Sequence, residues 1–394
     1  MREGVGISRP YADDRKSKRV LIVAGEASAD LHGSNLVRAM KRLDSSTTFW
    51  GIGGKQMEEV GVKILIPASD MAVVGLTEVL SRLHRIAKAR LELKNLLKNN
   101  PPHLLILIDY PGFNIHLAGV ARRYKVPVLY YISPQVWAWR TGRVKKIARR
   151  VDRMAVILPF EEDFYRKKGV DVEYVGHPLL DSIPNHLDKD EITQKMGLEN
   201  AYPVLGLLPG SRNEEIRNLL PIMVKAVEML SSRYPYLKCI LPIAATIKPD
   251  LVQSFLSQSR VEINISPGDI YETLTACDLA LVTSGTATLE TAIMGVPMIL
   301  VYRVSPLTFW VGKMVIKVPH LGLANLVAGE SIIPELIQND VTPDRLTHEA
   351  LEILECGQKR ENMIQKLGKV KEKLGGAGAS ERTAKIAMEM MTPQ

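Results

Sequence analysis

Val204-Leu205-Gly206-Leu207-Leu208-Pro209-Gly210-Ser211-Arg212-Asn213-Glu214-Glu215 holds the fold in miniature. Five apolar residues, too few for a helix, end at Pro-Gly, and a polar run then opens an amphipathic stretch. A short continuous apolar run closed by a turn signal marks a strand buried on both faces, and such strands belong to parallel sheets covered by helices. The same unit recurs at residues 20–24, 104–108, 128–132 and 154–158, and again at 204–208, 238–242, 279–282 and 298–301. Helical patterns separate the runs. Two series predict an α/β protein of two Rossmann-like domains facing a central cleft, with ligands taken at the carboxyl ends of the strands.

Length agrees with two domains. The chain has 394 residues, and single hydrophobic cores stop growing near ~250–300. The boundary is expected in the polar, Pro-containing stretch 178–203, giving a leader at 1–18, domains at 19–182 and 183–360, and a charged helical tail at 361–394. Hydrophobic residues make up 46% and charged residues 24%, a balance that excludes disorder, collagen and coiled coil. Cys239, Cys277 and Cys356 show no paired spacing, and no histidines stand at i, i+4, so neither a disulfide framework nor a metal site is expected. No run of ~18 uncharged apolar residues occurs. A net charge of +8 suggests an anionic partner: nucleic acid, a phosphorylated ligand or an anionic membrane surface.

Four loops could carry chemistry. Gly51-Ile52-Gly53-Gly54 fails the dinucleotide fingerprint because residue 56 is Gln, and Gly54-Lys55 lacks the Ser or Thr of a P-loop. The first βα loop, Gly25-Glu26-Ala27-Ser28-Ala29-Asp30, puts two carboxylates where a helix start would otherwise draw a phosphate, which suits a sugar hydroxyl better. Alternatively Ser28 caps the helix and Asp30 is a first-turn acid. At Gly210-Ser211-Arg212 the glycine lets backbone approach a ligand, and the arginine supplies a cationic fork. Ser284-Gly285-Thr286-Ala287-Thr288-Leu289-Glu290 again opens a helix after a buried strand. Its amides could hold a diphosphate, while Glu290, one turn after Thr286, could accept from a ribose. Asp109, the first polar residue after strand 104–108, is expected in the crevice as a general base, with Glu26 competing for that role.

At these residues the chain resembles the lipid-A-disaccharide synthases, inverting glycosyltransferases of the two-Rossmann GT-B architecture. The motifs are VAGEASADLHG (23–33), MAVVGLTEVL (71–80), IDYPGFN (108–114), YYISPQVWAWR (130–140), LPFEEDFY (158–165), VGHPL (175–179), LPGSR (208–212), SGTATLE (284–290) and PHLGLANLVAG (319–329). Ala29 departs from the glycine common in that family. The resemblance implies transfer of the sugar of UDP-2,3-diacylglucosamine to 2,3-diacylglucosamine 1-phosphate, giving a β-1,6-linked disaccharide 1-phosphate and UDP for lipopolysaccharide assembly in a Gram-negative envelope. No cofactor or metal is expected, because Arg212 and the amides near Ser211 and Thr286 can neutralise the leaving group. The first domain then takes the acceptor through Ser28, Asp30, Gln135, Trp137 and Arg140, with Arg140 beside the 1-phosphate. The second takes the UDP-sugar through Gly210, Ser211, Arg212, Ser284, Gly285, Thr286, Glu290 and Asn325.

Diacyl substrates also imply a membrane. Residues 76–97 alternate apolar and basic positions at helical spacing, and Val73, Val74, Leu76, Val79, Leu80, Arg82, Leu83 and Arg85 are expected to meet anionic lipid on the cytoplasmic face of the inner membrane. A helix covering a sheet would show a similar stripe. A UDP-sugar epimerase or a transferase with another acceptor would share the second-half loops. A nucleic-acid-binding reading predicts interleaved aromatic and basic residues, whereas aromatics are 6% of the chain, so no nucleic-acid partner is expected. Oligomeric state, a homodimer included, stays open.

Overall fold

A computed structural model describes the chain except for residues 1–16, 72–78, 140, 185, 245–246, 258, 267–268, 316–317 and 393–394. Seven strands form the first sheet: β1 (Arg19–Ala24), β2 (Thr48–Gly53), β3 (Val62–Pro67), β4 (Leu104–Ile108), β5 (Val128–Tyr131), β6 (Arg153–Val156) and β7 (Val172–Tyr174). Six form the second: β8 (Val204–Leu208), β9 (Lys238–Pro242), β10 (Ile263–Ser266), β11 (Leu279–Thr283), β12 (Met298–Tyr302) and β13 (Glu335–Ile337). All pairings are parallel, in the orders β3-β2-β1-β4-β5-β6-β7 and β10-β9-β8-β11-β12-β13. In each sheet the direction of strand addition reverses beside the first strand, between β1 and β4 and between β8 and β11. Ligands of open parallel sheets bind at the carboxyl ends of such pairs.

The period of two along each strand divides the first core. Leu21, Val23, Leu105, Leu107 and Tyr130 face the helices Val79–Asn99 and Pro111–Arg123, meeting Ala89, Leu93, Leu97, Phe113 and Leu117. Val20, Ile22, Ile106 and Leu129 face the opposite way, onto Leu36 and Met40 of the helix Ala27–Leu43. Ile86 packs against the first of these clusters, so from Ile86 onward the helix Val79–Asn99 covers the sheet, the plainer of the two readings of its stripe. Arg85 is exposed and pairs with Asp70 at 3.1 Å. Val73, Val74 and Leu76 lie outside the described residues, as do the side chains of Val79, Leu80, Arg82 and Leu83. Among the described residues no helix is long and apolar enough to cross a membrane.

The chain divides into one unit of Met1–Pro178 with Gly378–Gln394 and another of Leu179–Ala377. The division falls at Pro178, ahead of the expected 182/183, and the tail expected at 361–394 is split. Its first helix, Gly357–Lys373, buries Met363, Leu367 and Val370 in the second unit. Its last helix, Ala379–Met390, returns to the first unit, where Ala384, Ile386 and Ala387 join the core beside Leu36 and Met40. Polar ties hold it there: Arg153 reaches Glu389 at 2.8 Å and Glu173 at 3.0 Å, and Arg382 Nε donates to the Val175 carbonyl at 2.7 Å. Truncation before Ala379 uncovers the part of that core beside the helix Ala27–Leu43. Loss of the buried Ile386 and its neighbours should cost the first unit about 3–5 kcal/mol, read by calorimetry as a fall in its melting temperature with the second unit's transition unmoved.

Candidate active site

Asp109 follows β4 at the reversal point, and the backbone there is unusual. Asp109 and Tyr110 both lie in the left-handed region, with φ of 45° and 46°, a conformation that costs non-glycine residues of order 1–3 kcal/mol each. Hydrogen bonds offset that cost. The Tyr130 hydroxyl donates to the Asp109 carbonyl at 2.5 Å, Asn114 Nδ2 donates to the same carbonyl at 2.7 Å and to that of Ile108 at 3.1 Å, and the Asp109 amide donates to Ile132 at 3.2 Å. The side chain is thereby aimed from a fixed backbone. Burial, and then the Glu26 carboxylate, push its pKa up to about 6.

Glu26 itself is exposed and stands at the N-cap of the helix Ala27–Leu43 with no side-chain capping bond. The helix thus begins ahead of Ser28, which is exposed in its first turn rather than serving as the cap. Gly25 links this loop to the Asp109 turn: a Cβ on Gly25 would stand 2.8 Å from the Tyr110 ring. Asp30 does not join the acceptor set. Its carboxylate is buried and accepts from the amides of Gly54 at 2.6 Å, Gln56 at 3.1 Å and Met57 at 3.2 Å, capping the helix Lys55–Glu59. The GIGG stretch is accordingly structural; a Cβ on Gly51 would lie 1.8 Å from the Ile22 carbonyl oxygen.

After β5, Gln135 is exposed while Trp137 turns inward. The Trp137 indole donates to Glu161 at 2.9 Å and stacks edge-on against Phe160, with ring centroids 4.9 Å apart. Trp137 therefore anchors its loop instead of lining an acceptor pocket. Arg140 lies outside the described residues. Glu161 is the residue that sequence reasoning passed over. It accepts from Ser133 Oγ at 2.5 Å, Trp137 Nε1, and the amides of Ile157 and Leu158 at 3.3 and 3.0 Å. Burial pushes its pKa up to about 7, against the four donors that favour its charge. The available signal was an acid directly after the helix-opening run Leu158-Pro159-Phe160, the first of the three acids Glu161-Glu162-Asp163.

In the second unit, the loops after β8 and β11 stand at the other reversal point. Gly210 has φ of 118°, and a Cβ there would meet Glu215 Oε2 at 2.2 Å, so only glycine fits. The Ser211 and Arg212 amides donate to Glu215 Oε2 at 3.0 and 3.2 Å, and the Arg212 guanidinium meets Oε1 at 2.9 Å. An internal carboxylate thus occupies the amides expected to serve an anion. The Arg212 side chain is otherwise exposed. Gly285 and Thr286 are exposed at the start of the helix Thr286–Ile293, and Ser284 Oγ donates to the Leu321 carbonyl at 3.1 Å. Burial and then Asp269 push the Glu290 pKa up to about 7.

Asn325 leaves the donor set. Fully buried, its Oδ1 accepts from Ile332 and Ile333, and its Nδ2 donates to the Ile333 carbonyl and to Glu335 at 2.7 Å, so its amide is spent on the turn into β13. Among the described residues there is no group of three or more His, Cys, Asp or Glu placed to hold a metal ion.

Comparison with known proteins identifies the family. The chain is 49% identical over 381 residues to the lipid-A-disaccharide synthase of Geobacter sulfurreducens, covering 97% of this chain and 99% of that protein. It is 44% identical to that of Nitrosococcus oceani, covering 94% and 96%. Among solved structures, the UDP-GlcNAc 2-epimerase from Neisseria meningitidis bound to UDP-GlcNAc superposes with a TM-score of 0.65 at 11% identity, covering 94% of this chain and 100% of that one. Acinetobacter baumannii MurG superposes with a TM-score of 0.59 at 13% identity, covering 94% and 99%. At these identities the likeness is one of fold, and it matches the GT-B arrangement of two α/β units. The model of the lipid-A-disaccharide synthetase family matches residues 20–390, and the chain belongs to that family.

Proposed function

We propose a division of labour for the family reaction, in which UDP-2,3-diacylglucosamine gives its sugar to 2,3-diacylglucosamine 1-phosphate with release of UDP. Asp109 takes the proton of the acceptor hydroxyl; Glu26, across the same strand ends, raises its basicity. The acceptor-side loop is presented by Gln135, and Ser28 lies at the neighbouring helix start. In the second unit Arg212, with the amides at Ser211 and Thr286, receives the leaving diphosphate, and Glu290 accepts from the ribose. The observation that carries this reading is the braced left-handed turn at Asp109, which spends backbone energy to hold one carboxylate at a strand end. Single displacement with inversion asks for one such base.

The working place proposed is the cytoplasmic face of the inner membrane, reached through residues 71–83 and Arg85 of the first unit. Leu80→Ser with Leu83→Ser should lower co-sedimentation with anionic vesicles; unchanged binding by the folded variant would return that segment to the sheet-covering helix.

Asp109→Asn should lower turnover ~10²-fold or more; retention of more than about a tenth of the activity removes Asp109 from the role. In the wild type, turnover should rise with pH through about 6. Stability runs the other way. An acid whose pKa is raised on folding binds its proton more tightly in the native state, so stability falls as pH climbs from the ordinary carboxylate range toward about 6 and is flat above it. Asp109→Asn should therefore melt higher than wild type at pH 8, by scanning calorimetry.

Arg212→Ala should weaken UDP binding and lower turnover together, by calorimetric titration and initial rates, at a cost of ~10–10³-fold in turnover. An unchanged UDP affinity would place Arg212 outside the donor site. With guanidinium and amides neutralising the diphosphate, EDTA should leave the rate intact, and strict dependence on added magnesium would count against this assignment.

A further inference from the structure

The helix Pro306–Val315 in the second unit carries a surface that the reaction does not use. Its sequence, PLTFWVGKMV, has no acid. Trp310 is 70% exposed and Met314, one turn on, is 69% exposed. Residues at i and i+4 share a helix face, so these two large side chains form one apolar strip, and the exposed Lys313 borders it. At the start of the helix opens a cavity of about 450 Å³ lined by Glu214, Arg217, Asn218, Arg303, Ser305 and Pro306. Both arginines are exposed.

Lys313 thus borders the strip, and two further cations line the cavity at the helix start, against one lining acid. Tryptophan with basic residues beside an apolar strip is the composition of a helix lying in a bilayer interface, where the indole sits at headgroup depth and the cations meet phosphate. A second copy of the chain fits the strip poorly. A two-fold contact sets a patch against itself, which would bring Arg217, Arg303 and Lys313 toward their own copies, and interface centres are depleted in charge.

We propose that the exposed face of Pro306–Val315 is a lipid-contact surface seating the second unit on an anionic phospholipid bilayer, with Arg217 and Arg303 in the adjoining cavity taking headgroup phosphate. The proposal concerns a different unit and different residues from the segment 71–83, and the two stand or fall separately.

The test uses the full chain with vesicles of phosphatidylcholine and phosphatidylglycerol whose acyl chains are brominated, a quencher of indole fluorescence. Trp50, Trp137 and Trp139 are common to both proteins, so the difference between the wild type and Trp310→Phe isolates the signal of Trp310. Vesicles should quench the wild type, and Trp310→Phe should lose that quenching while still co-sedimenting. Trp310→Ser with Met314→Ser should lower the vesicle partition coefficient about tenfold. Arg217→Gln with Arg303→Gln should weaken binding to the anionic vesicles and leave binding to pure phosphatidylcholine unchanged. Leu80→Ser with Leu83→Ser should leave the Trp310 quenching of the bound fraction in place, which separates this surface from the other. Equal quenching in wild type and Trp310→Phe, or an unaltered partition coefficient in the double serine variant, overturns the proposal. So does concentration-dependent self-association without lipid that the serine variant abolishes, which would assign the strip to a second copy.

Discussion

Two consecutive left-handed residues at the end of β4 set the terms for the first unit. Asp109 and Tyr110 could relax to ordinary backbone if the carbonyls of Ile108 and Asp109 were free, but Tyr130 from β5 and Asn114 from the following helix hold them. Tyr130 is fully buried, so its hydroxyl needs a partner, and the Asp109 carbonyl is the one supplied. The turn then swings the Tyr110 ring against Gly25, where a side chain would collide. The glycine of the first βα loop, the tyrosine of β5 and the asparagine of the fourth-strand helix thus form one mechanical set. Its product is a carboxylate whose position is fixed by backbone rather than by its own rotamer, beside a second carboxylate that keeps it basic.

How far the fold could be read from the sequence follows from the same physics. Eight of the thirteen strands announce themselves because they are apolar almost throughout, as strands covered on both faces must be. The Thr48–Gly53 strand escapes. Its Gly51 and Gly53 weaken the pattern, yet Gly51 is required because β1 passes too close for a Cβ. The last helix is visible as amphipathic, but nothing in a helical stripe says which of two sheets it will cover, and residues 379–390 return to the first.

The candidate site was legible by position and less so by partner. Glu26, Asp109, Arg212 and Thr286 follow strands beside the two reversal points, which the order of apolar runs already suggested. Asp30 and Asn325 looked the same by that criterion: each is a polar residue beside a glycine-containing loop. Both serve the backbone instead. Asp30 caps a helix 24 residues further along, and Asn325 closes a turn eight residues ahead. A polar side chain near a strand end must satisfy someone, and the nearest unpaired amides often lie outside the window in which the sequence is read. Glu161 shows the converse. Hidden in a helix-opening run, it gathers four donors and fixes the loop that bears Ser133 and Trp137.

Glu215 gives the second unit its own economy of charge. The amides of Ser211 and Arg212 stand at a helix start, and the Arg212 guanidinium carries a charge beside them. The Glu215 carboxylate answers both at once. On the assignment proposed above, a diphosphate arriving at that turn exchanges one anion for another, rather than filling an empty cationic hole. Such exchange gives up part of the binding energy, because a contact already made in the free protein is not gained on binding. It favours release by the same amount. On that assignment UDP carries the very groups that Arg212 takes in the donor, and an internal competitor that re-forms its bonds as UDP departs shortens the time that the product blocks the site.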